Sequence, residues 1–99
     1  MEKFLEFLEH ILERPGMYGV NRVEDLNLII LGYRYAAYNE EIGKLYNDFR
    51  KYINKDFGTT KKDYDWAKLI RLHSGSDRHS LELFTYKFKF FLARKKIKI

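Results

Sequence analysis

Apolar residues near the start of the chain recur every three or four positions and leave glutamates on the opposite side. The apolar positions are Phe4, Leu5, Leu8, Ile11 and Leu12. This spacing is typical of an amphipathic helix that buries one face. We expect the helix to end near Arg14, because Pro15 disfavours helical torsion angles in the preceding residue and Gly16 supplies a flexible exit. We also expect Met17 and Tyr18 to fold the following loop onto the core.

A second helix is predicted to begin near Arg22, because Asn21 and Glu24 resemble a capping box. Its apolar positions form two stripes. One stripe is Leu26, Ile29, Ile30, Tyr33 and Ala37, and the other is Leu28, Leu31, Tyr35, Tyr38 and Ile42. Because most of its circumference is apolar, we expect this helix to be central and packed on more than one side. Gly32 costs a helix about 1 kcal/mol relative to alanine, so we expect another helix to cross closely there.

Two further helices follow a predicted break at Gly43. The apolar positions of the third helix are Leu45, Phe49, Tyr52, Ile53 and Phe57. Gly58 is a good C-terminal cap for it. Thr60, with Asp63 three positions later, can start a fourth helix. The buried side of that helix is predicted to include Tyr64, Trp66, Ala67 and Ile70.

The last helix is predicted to follow the turn at residues 73–77, with Ser76 or Asp77 as its cap. Its apolar face is Leu81, Phe84, Phe88, Phe91 and Leu92. Residues 84–90 also alternate with the period of a strand, but the helical spacing persists over the longer window and no second convincing strand is present. We therefore predict a single all-α domain, residues 1–99, of about five helices around a central second helix.

Charge is distributed unevenly along the 99 residues. The net charge is +5, with eight Lys/Arg against ten Asp/Glu in residues 1–57 and eleven against four in residues 58–99. The basic second half indicates an acidic partner. The chain has no cysteine, and charges interrupt its first apolar segment. The absence of cysteine favours the reducing cytoplasm. The charges argue against a signal peptide, and no apolar run is long enough to span a bilayer.

Few residues in the sequence suggest catalysis or metal binding. His10 shares a helix face with two glutamates, which we interpret as a solvated surface rather than a metal site. His73, Asp77 and His79 lie around one turn, but the members of a catalytic triad usually come from distant segments, and we interpret these residues as turn and capping residues. We therefore predict no catalytic residue, no metal ligand and no cofactor.

Three segments together resemble a group of small bacterial immunity proteins from polymorphic-toxin and contact-dependent growth inhibition systems. They are "RPGMYG" at residues 14–19, "LNLIILGYRYA" at residues 26–36 and "DWAKLIRLHSGSDRHSLELF" at residues 65–84. In that group an Arg-Pro-x-Met-Tyr loop precedes a helix with a Gly-aromatic pair, here Gly32 and Tyr33. A tryptophan, here Trp66, and a closing helix rich in Leu and Phe follow.

The resemblance implies a binding protein that neutralises a cognate toxin domain in the cytoplasm of the producing cell. It would do so by plugging the active site or by holding an exosite, without a cofactor and without turnover. Buried Tyr, Trp and Arg anchors are typical of such interfaces. The candidate contacts are Tyr18, Arg22, Arg34, Tyr38, Arg71, His73 and Arg78. The basic second half predicts an acidic patch on the toxin.

A second hypothesis concerns the basic and aromatic tail "YKFKFFLARKKIKI", residues 86–99. Lysines and arginines neutralise phosphates, and aromatic rings stack on unpaired bases. The cations are Lys87, Lys89, Arg94, Lys95 and Lys96. The alternative function is therefore a small nucleic-acid-binding regulator that uses the last helix. A helix with core phenylalanines and solvated lysines has the same spacing.

Overall fold

The structure is a computed structural model that describes residues 1–37, 39–59 and 64–97. Across these residues there are five α-helices, one 3₁₀ helix and no strand. The helices are α1 (Glu2–Glu13), α2 (Val23–Ala36), α3 (Glu40–Asp56), α4 (Trp66–Leu72) and α5 (Asp77–Arg94), and the 3₁₀ helix (Pro15–Tyr18) lies between α1 and α2. The all-α prediction is confirmed, including the helical assignment of residues 84–90. The radius of gyration is 12.9 Å, close to the roughly 13 Å of a compact 100-residue domain.

The core is centred on the rings of α3, α4 and α5 rather than on α2. Phe49 of α3 is fully buried, and the centroids of four other rings lie within 6 Å of its own. Its ring centroid lies 5.6 Å from Trp66, 5.7 Å from Phe84, 5.2 Å from Phe88 and 5.3 Å from Phe91. Such aromatic pairs contribute about 0.5–1.5 kcal/mol each beyond the area they bury. The predicted apolar face of the last helix is therefore part of the core.

Helix α2 is shorter and less buried than predicted. It ends at Ala36, and Asn39 caps α3 by accepting the backbone N–H groups of Glu41 and Ile42 at 2.8 and 3.3 Å. The fully buried positions of α2 are Val23, Leu26 and Ile30, whereas Leu28, Leu31 and Tyr35 are exposed. The prediction of a central helix packed on more than one side is therefore wrong. The stripe with Leu26 and Ile30 meets the other helices, whereas the described α2 residues of the second stripe are exposed and its Ile42, which lies in α3, is buried.

The start of α2 is held by α5 and not by the predicted capping box. Arg22 is the N-cap residue, and no side chain at that position caps the helix. The N–H of Val23 instead donates to Oγ of Ser80 at 3.0 Å, and this buried hydroxyl donates to the carbonyl of Asp77 at 2.6 Å. The N–H of Asn21 donates to the carboxylate of Asp25 at 3.0 Å. A partner 57 positions away cannot be read from local sequence.

The connection between α1 and α2 is a corner, as predicted, but a different residue anchors it. Met17 is 73% exposed and Tyr18 is 41% exposed, whereas Val20 is 2% exposed. Gly19 has a φ of +71°, which turns the chain so that Val20 enters the core. The prediction that Met17 and Tyr18 fold onto the core is therefore wrong.

A buried asparagine holds the connection from α3 to α4. The side chain of Asn54 donates to the carbonyl of Tyr64 at 2.9 Å, and it accepts the N–H of Tyr64 at 2.9 Å and the hydroxyl of Thr59 at 2.8 Å. Gly58 follows the end of α3 with a φ of +73°, which confirms its predicted place at the helix end. The predicted helix start at residues 60–63 lies outside the described residues. Tyr64 is 39% exposed rather than buried.

Candidate functional site

Two adjoining clefts lie beside the C-terminal half of α2. They have volumes of about 260 and 320 Å³, and both are lined by Leu31, Arg34 and Gly43. The first extends towards Tyr35, and the second extends towards Tyr46 and Trp66. We call them together the Arg34 groove, defined by Leu31, Arg34, Tyr35, Gly43, Tyr46 and Trp66. The groove is open to solvent at one side of α2 and reaches the aromatic core at the other.

Arg34 is half-buried and lies between the two clefts. Within the described part of the chain it makes no ion pair and no hydrogen bond, so it is not paired with any carboxylate of α1. Its Nη2 atom would lie 3.8 Å from a Cβ placed on Gly43. Partial burial removes part of the favourable hydration free energy of a cation, and hydrogen bonds to an anionic partner can replace it.

Tyr46 of α3 is buried at the inner end of the groove. Its hydroxyl has no hydrogen-bond partner among the described residues. Burial raises the pKa of this phenol, while the nearby positive charge of Arg34 acts in the opposite direction. The hydroxyl therefore stays protonated at neutral pH and can donate a hydrogen bond. A buried polar group without a partner is uncommon in folded proteins and calls for an explanation.

An exposed apolar stripe on α2 adjoins the groove. Leu28, Leu31 and Tyr35 are 67%, 39% and 89% exposed, and their spacing places them on one side of the helix. Gly32 lies on the same side, and a Cβ added there would meet nothing within 4 Å. The prediction that another helix crosses at Gly32 is therefore wrong. We call Leu28, Leu31, Gly32 and Tyr35 the α2 stripe.

Arg71 and Arg22, two of the predicted contact residues, form ion pairs within the chain. Arg71 donates from Nε and Nη2 to the two carboxylate oxygens of Glu24 at 2.8 Å each, and also to Asp77 at 2.8 Å. The hydrogen bond from Arg71 lowers the pKa of Glu24 and, in return, raises that of Arg71. Arg22 pairs with Asp25 at 3.5 Å. Arg71 thus joins α4 to the starts of α2 and α5.

The histidines near the turn at residues 73–77 also have structural contacts. His73 stacks on Phe57 with 3.9 Å between ring centroids, and its Nδ1 lies 2.8 Å from the carbonyl oxygen of Leu69. Nδ1 of His79 accepts the N–H of Gly75 at 2.8 Å. Ser76 caps α5, as predicted, by accepting the N–H of His79 at 3.0 Å. The predicted contact residue Tyr38 lies outside the described residues.

Arg78 and Tyr18 lie on other parts of the surface. Arg78 lines a cleft of about 600 Å³ between the end of α1 and α5, together with Leu12 and Tyr86. Its side chain is 92% exposed and pairs with Glu82 at 3.3 Å. Tyr18 packs edge-on against the ring of Phe7, which is 6.2 Å away. This cleft is larger than either cleft of the Arg34 groove, but the groove combines a half-buried cation and a buried hydroxyl that both lack a partner among the described residues.

The basic last helix is partly neutralised by α3. Lys87 pairs with Asp56, and Lys95 pairs with Asp48 at 2.7 Å. The hydrogen bond from Lys95 lowers the pKa of Asp48. Three of the phenylalanines of this helix are core residues, namely Phe84, Phe88 and Phe91. Two of the five cations proposed to bind phosphates are therefore engaged within the protein.

Of the seven predicted contacts, only Arg34 lines the groove among those that the structure describes. Sequence reasoning missed Tyr35 and Leu28 as exposed apolar residues and Tyr46 as a buried polar residue of the candidate site. One signal was present: the two stripes of α2 contain more apolar positions than one buried face requires. The packing of the helices decides which stripe remains exposed, so the pattern alone did not identify the exposed surface.

Comparison with models of protein families, with curated proteins and with solved structures found no match. Among the described residues, none of the helices has the length and apolar character needed to cross a bilayer. The same residues contain no cluster of three or more His, Asp or Glu side chains placed to hold a metal ion.

Proposed function

We propose that this chain is an immunity protein that binds and neutralises a cognate toxin domain in the bacterial cell that produces both. The resemblance of its sequence segments to such proteins suggests the class of partner. The α2 stripe is the observation that supports binding: it is an exposed apolar helix face that contributes no buried residue to the core described above. We assign the binding surface to this stripe together with the Arg34 groove.

The composition of this surface suits a protein interface. Binding energy in interfaces concentrates in a few residues, with Tyr and Arg enriched among them. Tyr35, at 89% exposure, offers a large ring that a partner can bury. Arg34 lies beside it at the edge of the groove. The ring and the leucines supply the apolar centre, and the guanidinium supplies an orienting polar contact.

Gly32 supports the same assignment. Glycine inside a helix is less favourable than alanine by about 1 kcal/mol. No close contact with the other described residues requires glycine here and so explains this cost, because a Cβ at this position would meet open space. A partner segment that approaches the backbone closely would account for the glycine. The net charge of +5 further favours rapid association with an acidic partner surface.

Co-purification with the protein encoded immediately upstream of this gene, as the candidate toxin, tests the proposal. We expect Tyr35→Ala to weaken binding by about 30-fold or more, because a central interface tyrosine typically contributes over about 2 kcal/mol. Tyr86→Ala is the matched control, since Tyr86 is also exposed, at 68%, but lies on α5. It should change affinity less than about twofold. Wild-type protein that neither co-purifies with the toxin nor protects growth contradicts the proposal.

One observation favours nucleic-acid binding as a second candidate. Tyr86 and Phe90 are exposed on α5, four positions apart, with Lys89 beside them. Exposed rings near cations can stack on unpaired bases. Binding of single-stranded RNA or DNA that is lost in Tyr86→Ala and falls by orders of magnitude between low and moderate salt would support this candidate. An absence of binding at low salt eliminates it.

A further inference from the structure

The Arg34 groove brings together two hydrogen-bond donors that have no acceptor among the described residues. One is the half-buried guanidinium of Arg34, and the other is the buried hydroxyl of Tyr46. Arg34 and Tyr46 belong to different helices, and both residues line the cleft of about 320 Å³. The stability of the fold does not explain either group, because each donor loses hydration on folding without gaining a partner among the residues that the structure describes.

We propose that this cleft is a carboxylate-binding site that receives an acidic side chain of the partner. A carboxylate accepts two parallel hydrogen bonds from a guanidinium and has lone pairs left for a further donor such as a phenol. The single positive charge of Arg34 matches the single negative charge of Asp or Glu. The inference that the carboxylate belongs to a protein rests on the proposed function.

The walls of the cleft favour a side-chain carboxylate over a phosphate. Ile30, Leu31 and Trp66 present apolar surface that suits the methylene groups of Asp or Glu. Arg50 and Asp65 also line the cleft and carry opposite charges, so with Arg34 the lining has one net positive charge, which matches a monoanion better than a dianion. Arg50, on another wall, donates to Asn47 at 2.6 Å. The cleft thus offers one cation without a partner among the described residues, a buried donor and apolar walls.

Propionate, which reproduces the side chain of Glu, tests the site in the isolated protein. Trp66 is the only tryptophan of the chain and lines the cleft, so its fluorescence reports occupancy, and the side-chain NMR signal of Arg34 provides a second readout. We expect a saturable response to sodium propionate and none to propionamide, which lacks the charge. Arg34→Gln and Tyr46→Phe should each weaken propionate binding by about tenfold. Equal responses to both compounds, or an unchanged response in Arg34→Gln, would overturn the proposal.

Loss of folding should not obscure the test, because both substitutions remove groups that have no partner among the described residues. Arg78→Gln is the matched control, since Arg78 lies in a different cleft and already pairs with Glu82. It should bind propionate like the wild type. Gly43→Ala adds a methyl group 3.8 Å from Arg34 Nη2, and this partial filling of the cleft should also weaken propionate binding.

Toxin binding separates this inference from the proposed function. If Arg34→Gln weakens toxin binding by about tenfold and Arg78→Gln does not, an acidic side chain of the toxin is the occupant. If the toxin binds both variants like the wild type, the proposed function stands and the inference fails. If propionate binds saturably but the toxin does not bind, the proposed function fails. The carboxylate that the cleft binds then belongs to a free small molecule instead of a protein.

Discussion

Replacing Tyr46 by phenylalanine removes the one buried hydroxyl that lacks a hydrogen-bond partner among the described residues. The ring itself is well packed, 5.8 Å from Phe4, 6.0 Å from Trp66 and 6.1 Å from Phe88. Phenylalanine keeps these ring contacts. Leaving a buried donor unsatisfied costs about 1–3 kcal/mol. We therefore expect Tyr46→Phe to raise the free energy of unfolding by about 1–2 kcal/mol.

Thermal and urea unfolding measure this effect. At about 4–8 °C per kcal/mol for a domain of this size, the melting temperature should rise by roughly 4–16 °C. Tyr86→Phe is the control, because Tyr86 is 68% exposed, and it should change stability by less than about 0.5 kcal/mol. A loss of about 1 kcal/mol or more in Tyr46→Phe would show that the hydroxyl has a stabilising partner. That result would refute both the predicted stability gain and the assignment of the hydroxyl as a free donor in the groove.

The pH dependence of the free energy of unfolding, compared between the wild type and Tyr46→Phe, is a second test. Burial raises the pKa of Tyr46 in the folded state above its ordinary value of 10.0. Above about pH 10 the unfolded chain therefore releases this proton while the folded chain retains it, so wild-type stability falls as pH rises. Tyr46→Phe lacks this contribution. The stability difference between the variant and the wild type should widen above pH 10, and a constant difference would contradict the burial of the phenol.

Three other substitutions test separate features of the fold. Gly32→Ala should raise the free energy of unfolding by about 1 kcal/mol, because its Cβ would meet open space; destabilisation in urea unfolding would show that a packed neighbour was missed. Asn54→Ala should lower it by about 2–4 kcal/mol, because it leaves the N–H and carbonyl of Tyr64 without their partner; a change below about 1 kcal/mol would show that water replaces the amide. Arg71→Gln should lower the melting temperature at pH 7 and should lower it less at pH 3. Arg71 lowers the pKa of Glu24, so its stabilising contribution is present above the unfolded pKa near 4.5 and is lost as pH falls through the folded pKa. An equal loss at both pH values would mean that the ion pair with Glu24 contributes nothing.

Local chemistry in the sequence determined the helices and several of their ends. The spacing of apolar residues predicted α1, α3 and α5, and the rings predicted to be buried in α5 form part of the core. Pro15, Gly58 and Ser76 act through their own backbone torsions or through the nearest N–H groups. Such effects extend over only a few residues. A reader of the sequence can therefore predict them without knowing the tertiary fold.

Tertiary structure alone decided which apolar stripe of α2 is exposed. Both stripes repeat with the helical period, and periodicity does not indicate which side meets α4 and α5. The buried side contains Leu26 and Ile30, and the exposed side contains Leu28 and Tyr35. Burial is a property of the whole assembly of helices, so this surface became visible only once the helices were packed.

Packing, and not local sequence, also decides how Arg34 and Arg71 differ as candidate contacts. In the sequence both are arginines on predicted helices, with equal potential to bind a partner. Packing brings Arg71 to Glu24, 47 positions away, where the two form a bidentate ion pair. Packing also places Arg34 between two clefts, beside the buried hydroxyl of Tyr46 and without an acceptor among the described residues. The sequence by itself determined the helices and the available charges, whereas long-range contacts, which local patterns do not encode, decided which charge remains available to a partner.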